Sequence, residues 1–358
     1  MKPKRKSSLK GRDSGKMKIW YDACTGKHVR YGTTIARRLR RLGHEVLLTT
    51  RKHPDTLELA KVLDEKFIPV GKYTPATLFT KLEESAKRIL ELSRMLHNTV
   101  PDVAVSHQSV ELCRVAFGLN IPIILTADTP HATAVNKLTM PFASILVVSE
   151  AIPKSLFKRY GEAKIFQFRG VDEVAWIRDF RSSQKFEVKR PLIVVRQMET
   201  AASYAVGKND VTRKIARKLT SLGNVLFLSR YDKSEREDLT VTKEFVDSAS
   251  LVANADLVVS VGGTIAREAA LQGVPSIVIS EFGRTYVNKY LSDKEFPLFI
   301  TNASKVFTMA KTYIGKKWDV KEKLARLENP VDIIEKIITE KHFSKVPLKK
   351  TRTECLSS

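Results

Sequence analysis

Two short loops of this chain carry side chains that are suited to proton transfer. His107 lies in the segment Ser-His-Gln-Ser, while Asp128 and His131 lie in the segment Asp-Thr-Pro-His. Imidazole and carboxylate groups are common general acids and bases, so these three side chains could act on one substrate if the fold brings them together. The alternative is structural, with Asp128 holding the turn before Pro130 and His131 packing locally.

A third loop is suited to an anionic group. Gly26, Lys27 and His28 stand where the sequence predicts the start of a helix, and glycine would let a ligand approach the backbone there. Cations at a helix N-terminus oppose the helix dipole, so their presence favours a bound phosphate or carboxylate over an ordinary polar loop. We therefore predict that this loop binds an acceptor or its phosphate.

The glycine pair Gly262-Gly263 predicts a second anion site. An apolar run, 257–261, ends at the pair, and a helix follows with Thr264 in the capping position. Bare N–H groups at the positive end of a helix suit a phosphate. Glu268, about one helical turn after Thr264, could reach a ribose hydroxyl. The alternative is a tight turn that needs glycine only for its backbone angles.

Three arginines extend the predicted nucleotide site. Arg196, Arg230 and Arg284 each follow a predicted strand in the second half of the chain. A guanidinium group can clamp a diphosphate with two parallel hydrogen bonds. Each arginine alone would be an ordinary surface charge, but three of them at the ends of neighbouring parallel strands favour a diphosphate ligand.

The elements that must position these loops alternate between strand and helix. A strand at 17–21, a helix at 30–42 and a strand at 45–50 open a pattern typical of a parallel, doubly wound sheet. A polar stretch at 178–190 interrupts the pattern, and a buried strand at 191–195 restarts it. Since ligands of such sheets bind at the carboxyl ends of the strands, all the loops above would meet in one cleft.

The predicted fold class is therefore α/β and GT-B-like, with two Rossmann-like doubly wound domains facing a cleft. The predicted parts are a basic tail (1–16), an N-terminal domain on the acceptor side (17–177), a linker (178–190), a C-terminal domain with terminal helices on the nucleotide-sugar side (191–340) and a second basic tail (341–358).

The charge of the chain suggests an anionic partner. The net charge is +23, of which residues 1–16 carry +6, residues 341–358 carry +4 and the body keeps +13. A phosphorylated ligand, an anionic membrane surface or a nucleic acid could explain this excess. The absence of RNA-binding motifs and of zinc-finger spacing disfavours nucleic acid. No apolar run could cross a bilayer, so we expect a cytoplasmic protein, with peripheral contact to the inner membrane face left open.

The cysteines and histidines argue against a metal or a cofactor. Cys24, Cys113 and Cys355 form no CxxC pair, and the seven histidines show no HxxxH or HxH spacing. These patterns support neither a zinc site nor a disulfide framework. We therefore predict a site that uses no metal and no cofactor.

Long ordered segments of the chain resemble a known family. "DACTGKHV", "LRRLGHEVLLTTR", "PDVAVSHQSVELCRVAFGLNIPIILTADTPHATAVNKLTMPFAS", "LIVVR" and "ADLVVSVGGTIAREAALQGVPSI" resemble an uncharacterised, largely archaeal domain family related to GT-B glycosyltransferases. A more distant similarity is to UDP-N-acetylglucosamine 2-epimerases and to the glucosaminyltransferase that completes the peptidoglycan lipid precursor.

The resemblance implies a nucleotide site and puts one reaction in doubt. By position, Gly262, Gly263 and Thr264 match the turn that holds the diphosphate in the epimerases, and Glu268 matches their ribose-binding glutamate. The N-terminal loops lack most of the acidic residues that the epimerases have there. Since 2-epimerisation must remove and return a proton, this difference disfavours that reaction.

The sequence thus favours a metal-independent GT-B glycosyltransferase that uses a nucleotide sugar, with UDP as the expected carrier. Asp128 or His131 would be the general base, and Lys27 and His28 would bind an anionic part of an acceptor, with a lipid-linked acceptor as one alternative. One alternative is a UDP-sugar epimerase or hydrolase with altered acid–base residues. Another is a non-catalytic protein that binds an anionic membrane or RNA surface.

Overall fold

The computed structural model of the protein describes most of the chain. The described residues are 15–73, 77–182, 184, 186, 188–198, 210–229, 240–241, 245–279 and 285–342.

The first domain is built on a parallel sheet. Among the described residues, seven strands lie in the order β3-β2-β1-β4-β5-β6-β7. They are β1 (Lys18–Ala23), β2 (Glu45–Lys52), β3 (Ile68–Lys72), β4 (Val103–Ser106), β5 (Ile123–Ala127), β6 (Ile145–Ser149) and β7 (Lys164–Phe168). The helices between them are α1 (Gly26–Arg41), α2 (Pro54–Val62), α3 (Leu78–Leu96), α4 (Val110–Gly118), α5 (Thr133–Thr139) and α6 (Ser155–Lys158), and α7 (Val174–Ile177) follows β7.

The second domain repeats the plan. Six parallel strands of the described chain lie in the order β10-β9-β8-β11-β12-β13. They are β8 (Leu192–Arg196), β9 (Asn224–Leu228), β10 (Thr240–Val241), β11 (Leu257–Ser260), β12 (Ser276–Ile279) and β13 (Leu298–Thr301). The helices are α8 (Thr212–Leu219), α9 (Ser248–Ala253), α10 (Thr264–Leu271), α11 (Tyr286–Asp293), α12 (Val306–Tyr313), α13 (Lys321–Ala325) and α14 (Pro330–Thr339).

The apolar runs explain why these segments form central strands. Strand β8 is buried from Leu192 to Val195, and β11 is buried along its whole length. A parallel sheet covered by helices on both faces requires such continuous apolar strands, whereas an exposed face would require alternation. Between them the two sheets fix where every strand ends, and therefore where the polar loops lie.

Helix α14 joins the two domains. Its apolar residues Val331, Ile334 and Ile338 belong to the same buried core as the strands and helices of the first domain. The sequence prediction grouped this helix with the second domain, whereas the structure packs it against α1, β6 and β7. The turn before α14 is held by hydrogen bonds to the first domain. The backbone N–H and the guanidinium group of Arg169 both donate to the Glu328 carboxylate.

In the described part of the chain, no helix combines the length and the apolar composition needed to span a bilayer.

Candidate functional site

The site begins at the first turn of α1, which starts directly after β1. Lys27 lies in that turn, and its Nζ is 2.6 Å from Asp128 and 2.8 Å from Asp172. Glu173 is 4.0 Å away. Burial alone would lower the pKa of Lys27, but these three carboxylates hold the pKa above its usual value. Lys27 is therefore a buried ammonium group surrounded by carboxylates.

His107 and Asp128 meet at the ends of β4 and β5, as the parallel sheet requires. His107 Nδ1 is 2.7 Å from the Thr126 hydroxyl, and Nε2 is 3.4 Å from an oxygen of Asp128. Gln108 follows His107 with a φ of +55°, a left-handed conformation that is uncommon outside glycine. The Gln108 amide donates to Asn136 at 2.6 Å. The turn after β4 is thus fixed in an unusual conformation that places the imidazole beside the carboxylate.

The second domain completes the site with Arg267 of α10. Its Nη2 lies 3.1 Å from Asp128 and 2.8 Å from Glu173 across the domain boundary. Its Nη1 donates to Asn288 of α11 at 3.1 Å. Burial by itself would lower the pKa of Arg267, but Glu173 and Asp128 raise it above its usual value. We call the group Lys27, His107, Asp128, Asp172, Glu173 and Arg267 the interdomain cluster.

The charges around Asp128 determine its protonation. Burial by itself would raise the pKa of this carboxyl, but Lys27, His107 and Arg267 together hold the pKa well below its usual range. A carboxylate with so low a pKa is a weak base. Within the pair, the geometry therefore favours His107 as the proton carrier and Asp128 as the group that stabilises its charged form.

A second set of buried polar groups joins the domains next to this cluster. Arg30 of α1 pairs with Asp247, and its Nε is 3.7 Å from Glu268. Trp176 Nε1 donates to Glu268 at 2.9 Å, and the Ser248 hydroxyl donates to its other oxygen at 2.8 Å. Burial raises the pKa of Glu268, although Arg30 and the two hydrogen bonds oppose this rise. We call these five residues the interdomain clasp.

The cluster and the clasp together contain more carboxylates than cations. Five carboxylates face three cations, which are Lys27, Arg30 and Arg267. An excess of buried carboxylates disfavours a phosphate there and favours hydroxyl groups or a transferable proton. A nucleotide diphosphate is better suited to the glycine turn at the start of α10.

That turn has no close neighbour at Gly263 among the residues that the structure describes. Gly262 and Gly263 have φ values of +110° and +102°, so both positions favour glycine. Gly263 precedes the first residue of α10 without any side-chain capping bond. Among the described residues, no atom beyond the chain neighbours would lie within 4 Å of a Cβ added there. A glycine turn at the start of an eight-residue helix, beside the Thr264 side chain, is an arrangement typical of phosphate sites.

The remaining predicted residues fall in several places. Arg196 is the last residue of β8 and is half-buried. His131 is exposed in the turn after β5, whereas His107 and Asp128 lie inside the cluster. Arg230 and Arg284 lie outside the described residues.

The loop that was predicted to bind an anion has a different environment. His28 is half-buried, and desolvation together with His107 and Lys27 keeps its pKa well below the usual value, so the ring is neutral. An acceptor anion at Lys27 would have to displace Asp128 or Asp172. A Cβ at Gly26 would make only ordinary contact with Leu59, at 3.6 Å. The anion-binding role of these three residues stays a prediction, and this geometry weighs against it.

One part of the cluster has the donor types of a metal site. Ligand atoms of His107, Asp128 and Asp172 lie within 4.8 Å of one another. However, the ammonium group of Lys27 already bonds to both aspartates. The position that a divalent cation would occupy is taken by a lysine, so these residues do not fit a resident metal ion.

Sequence reasoning missed Asp172, Glu173 and Arg267. The acidic pair follows the end of β7, so the strand-end rule that selected His107 and Asp128 would have selected it as well. Arg267 and Glu268 are adjacent charged residues in a helix that is otherwise small and apolar after Thr264, and both are buried. A charged residue in a helix that is apolar on all sides is a signal of a buried partner.

Two parallel-sheet α/β domains with a polar site between them define the GT-B class of fold. Residues 17–342 match the family described as "Protein of unknown function (DUF354)", and the chain belongs to this family. A relative from Methanocaldococcus jannaschii, the uncharacterized protein MJ0665, is 31% identical over 334 residues, which cover 88% of this chain and 96% of the relative.

Solved structures share the fold at low sequence identity. UDP-GlcNAc 2-epimerase of Methanocaldococcus jannaschii, in complex with UDP-GlcNAc and UDP, is 16% identical with a TM-score of 0.67, covering 90% of this chain and 100% of that one. The glycosyltransferase SsfS6 of Streptomyces sp. SF2575, complexed with thymidine diphosphate, is 16% identical with a TM-score of 0.55, covering 90% and 99%.

Proposed function

We propose that this protein is a GT-B-type glycosyltransferase that binds a nucleotide diphosphate sugar, with UDP as the favoured carrier. One observation carries the proposal: α10 begins at the glycine turn and, three residues later, directs Arg267 to the acidic groups of the other domain. Three residues of helix span about 4.5 Å along the axis. A diphosphate at the turn would therefore lie about one helical turn from the backbone of Arg267, whose side chain reaches the acidic groups.

The glycine turn is assigned to the diphosphate. The N-terminal N–H groups of α10 and the Thr264 hydroxyl would donate to its oxygens, and Arg196 at the end of β8 would add a cation. These groups would stabilise the negative charge that develops on the nucleoside diphosphate as it leaves the sugar. No metal ion is needed for this role, because helix N–H groups and a guanidinium group can supply the compensation.

The proton transfer is assigned to His107. The attacking hydroxyl of the acceptor must lose a proton, and an imidazole nitrogen can accept it. Because Nε2 faces Asp128, the proton would be taken at Nδ1, where the acceptor hydroxyl would replace the Thr126 hydroxyl as partner. Asp128 lies 3.4 Å from His107 Nε2 and stays ionised, so it would stabilise the imidazolium ion that forms. The acceptor would enter from the side of the N-terminal domain.

Substrate entry requires the domains to separate. The carboxylate of Glu268 is buried and holds Trp176 and Ser248, so a ribose can reach it only when these bonds open. We therefore keep ribose binding by Glu268 as part of this proposal. On opening, its carboxylate would exchange the Trp176 and Ser248 donors for ribose hydroxyls. Closing the domains again would exclude water from the reacting groups.

The proposal can be tested with one conservative substitution. Thr264→Val keeps the shape of the side chain and removes the hydroxyl group that would donate to the diphosphate. We expect UDP affinity, measured by calorimetry, to fall by roughly tenfold or more, the effect of one hydrogen bond to a charged group. Thr312→Val is a matched control, because Thr312 is exposed on α12 and its hydroxyl only donates to Thr308. Equal UDP affinity in the two variants would refute the assignment of the turn.

A second candidate function is supported by the acidic residues that only the structure reveals. Asp172 and Glu173 lie beside Lys27 and Arg267, in a loop after β7 that the sequence comparison did not consider. A nucleotide-sugar epimerase or hydrolase with altered acid–base residues would use such groups. Incubation with UDP-GlcNAc and no acceptor separates the two. Release of UDP or formation of a new sugar under these conditions favours the second candidate over the transferase.

A further inference from the structure

A cavity of about 370 Å³ opens on the N-terminal domain, outside the interdomain cluster. Its lining comes from α5 and the turn after it, and from the end of α6. The lining residues are Thr133, Lys137, Pro141, Arg159 and Tyr160. Two of them are cations and two carry hydroxyl groups, so the chemistry of the lining is that of an anion site.

The walls of this cavity are held by the backbone. Gly161 brings the chain after α6 against the turn at Met140 and Pro141, and a Cβ at Gly161 would lie 3.1 Å from both residues. Arg159 Nη2 donates to the Tyr160 hydroxyl at 3.1 Å and to the Pro130 carbonyl at 3.4 Å. The guanidinium carbon lies 4.9 Å from the centre of the Tyr160 ring. Arg159 is therefore oriented by neighbouring groups although it is exposed.

The positive charge of the cavity is uncompensated. Within the part of the chain that the structure describes, neither Lys137 nor Arg159 has a carboxylate within 4.0 Å. By contrast, many surface cations of the same chain, such as Lys61 and Lys289, are paired with a carboxylate. The segment 131–164 contains five Lys or Arg against two Glu. Two cations that converge on one cavity without a carboxylate favour a bound anion.

We propose that this cavity binds the phosphate group of a phosphorylated acceptor. The guanidinium group of Arg159 would hold two phosphate oxygens, Lys137 would act as a point charge, and the hydroxyls of Thr133 and Tyr160 would donate further hydrogen bonds. That the bound molecule is an acceptor rests on the proposed transferase function. The anion site itself rests only on the cavity.

The position of the cavity suits an acceptor. Arg159 bonds to the carbonyl of Pro130, two residues beyond Asp128, so the cavity lies on the outer side of the loop that carries the acid–base pair. The buried Asn136 also donates to this carbonyl, at 3.0 Å, and ties α5 to the same loop. A phosphate held here would place the rest of the acceptor beside the N-terminal half of the cluster, away from the glycine turn.

Exposed apolar side chains near the lining residues allow two sources for the phosphate. Leu138, next to Lys137, is 53% exposed, and Phe117 is 55% exposed. The Phe117 ring lies 4.9 Å from that of Phe142, the neighbour of Pro141. Exposed apolar side chains beside a phosphate site suit a lipid-borne phosphate, while a soluble sugar phosphate needs only the cavity.

The test compares two double variants of the full chain that lose the same charge. Lys137→Ala/Arg159→Ala removes the cations of the cavity. Lys154→Ala/Lys158→Ala removes two exposed lysines that do not line it, one directly before α6 and one at its end. Calorimetry with inorganic pyrophosphate, in the presence of saturating UDP to fill the glycine turn, is expected to show affinity reduced by about tenfold or more in the first variant only. Equal affinities in the two variants, or no pyrophosphate binding by the wild-type chain, would overturn the site.

Two further measurements identify the source of the phosphate and test the anion site independently of the proposed transferase function. Flotation with phosphatidylcholine vesicles containing phosphatidic acid supports a lipid source if the first variant binds less than the second. Equal vesicle binding by the two variants, together with weaker pyrophosphate binding by the first variant, supports a soluble source of the phosphate. UDP affinity is expected to be the same in both variants. If wild-type protein binds pyrophosphate at the cavity but no nucleotide, the transferase proposal fails and the anion site stands.

Discussion

Replacing Arg267 by methionine tests whether the two domains meet as described. Arg267 comes from the second domain, and its side chain is only 4% exposed. It lies 2.8 Å from Glu173 and 3.1 Å from Asp128, both in the first domain. Methionine fills a similar volume without charge, so the substitution removes the cation and leaves the packing nearly unchanged. Three carboxylates would then face the single ammonium group of Lys27.

The expected cost follows from this burial. Removing one partner of a buried, hydrogen-bonded ion pair destabilises a protein by about 3–5 kcal/mol, because the other partner stays buried without compensation. Arg267→Lys keeps the charge but cannot bond to two carboxylates and to Asn288 at once, so we expect it to recover about half of the loss. An exposed pair offers the control: Arg326 and Glu322 are 3.7 Å apart and 80% and 89% exposed.

Urea unfolding at pH 7, followed by circular dichroism, measures these differences. We expect Arg267→Met to lower the free energy of unfolding by about 3–5 kcal/mol and Arg326→Met to lower it by less than about 1 kcal/mol. A loss below about 1 kcal/mol for Arg267→Met, equal to that of the control, would refute the reasoning. It would mean that Arg267, Asp128 and Glu173 are not buried together in solution.

Two further predictions concern pH and backbone conformation. Because burial, His107 and Lys27 keep the pKa of His28 well below 6.5, the unfolded chain binds a proton below about pH 6.5 that the folded chain does not. The free energy of unfolding should therefore fall between pH 7 and pH 5, by at most about 1.4 kcal/mol per pH unit. Urea titrations should show a flatter dependence on pH for His28→Asn. The same pH dependence in the variant and in the wild type would contradict this prediction. Gly273 and Gly315 both have a φ of +76°, but a Cβ would lie 2.1 Å from the Trp318 carbonyl oxygen only at Gly273. Gly315→Ala should lower the free energy of unfolding by about 1–2 kcal/mol, and Gly273→Ala should lower it by about 1–3 kcal/mol more. Thermal unfolding can compare the two variants. Equal shifts of their melting temperatures would contradict the predicted clash.

The order of strands and helices could be predicted closely from the sequence. The predicted strand 191–195 overlaps β8 from Leu192 to Val195, and the predicted apolar run 257–261 contains the whole of β11. Both are short apolar runs bounded by turn residues, and such local patterns determine local structure. The prediction was less accurate after β7, where α7 was not expected. That helix is only four residues long, too short to show a period.

The candidate site was predictable only in part. His107 and Asp128 could be chosen because each directly follows a strand, and the structure brings them to within 3.4 Å of each other. Glu268 was chosen for a ribose, and the structure gives its carboxylate protein partners in Trp176 and Ser248. No local pattern indicates that a tryptophan of one domain will donate to a carboxylate of the other.

The sequence by itself determined two α/β domains, their parallel strands and the loops that carry polar groups. These features follow from apolar periodicity and glycine turns, which act over a few residues. Only the tertiary structure decided which charges meet. Arg267 and Asp128 are 139 positions apart in the chain, and their contact depends on how the two domains close. The pKa values of the site depend on it as well, because charges act through space and burial strengthens them.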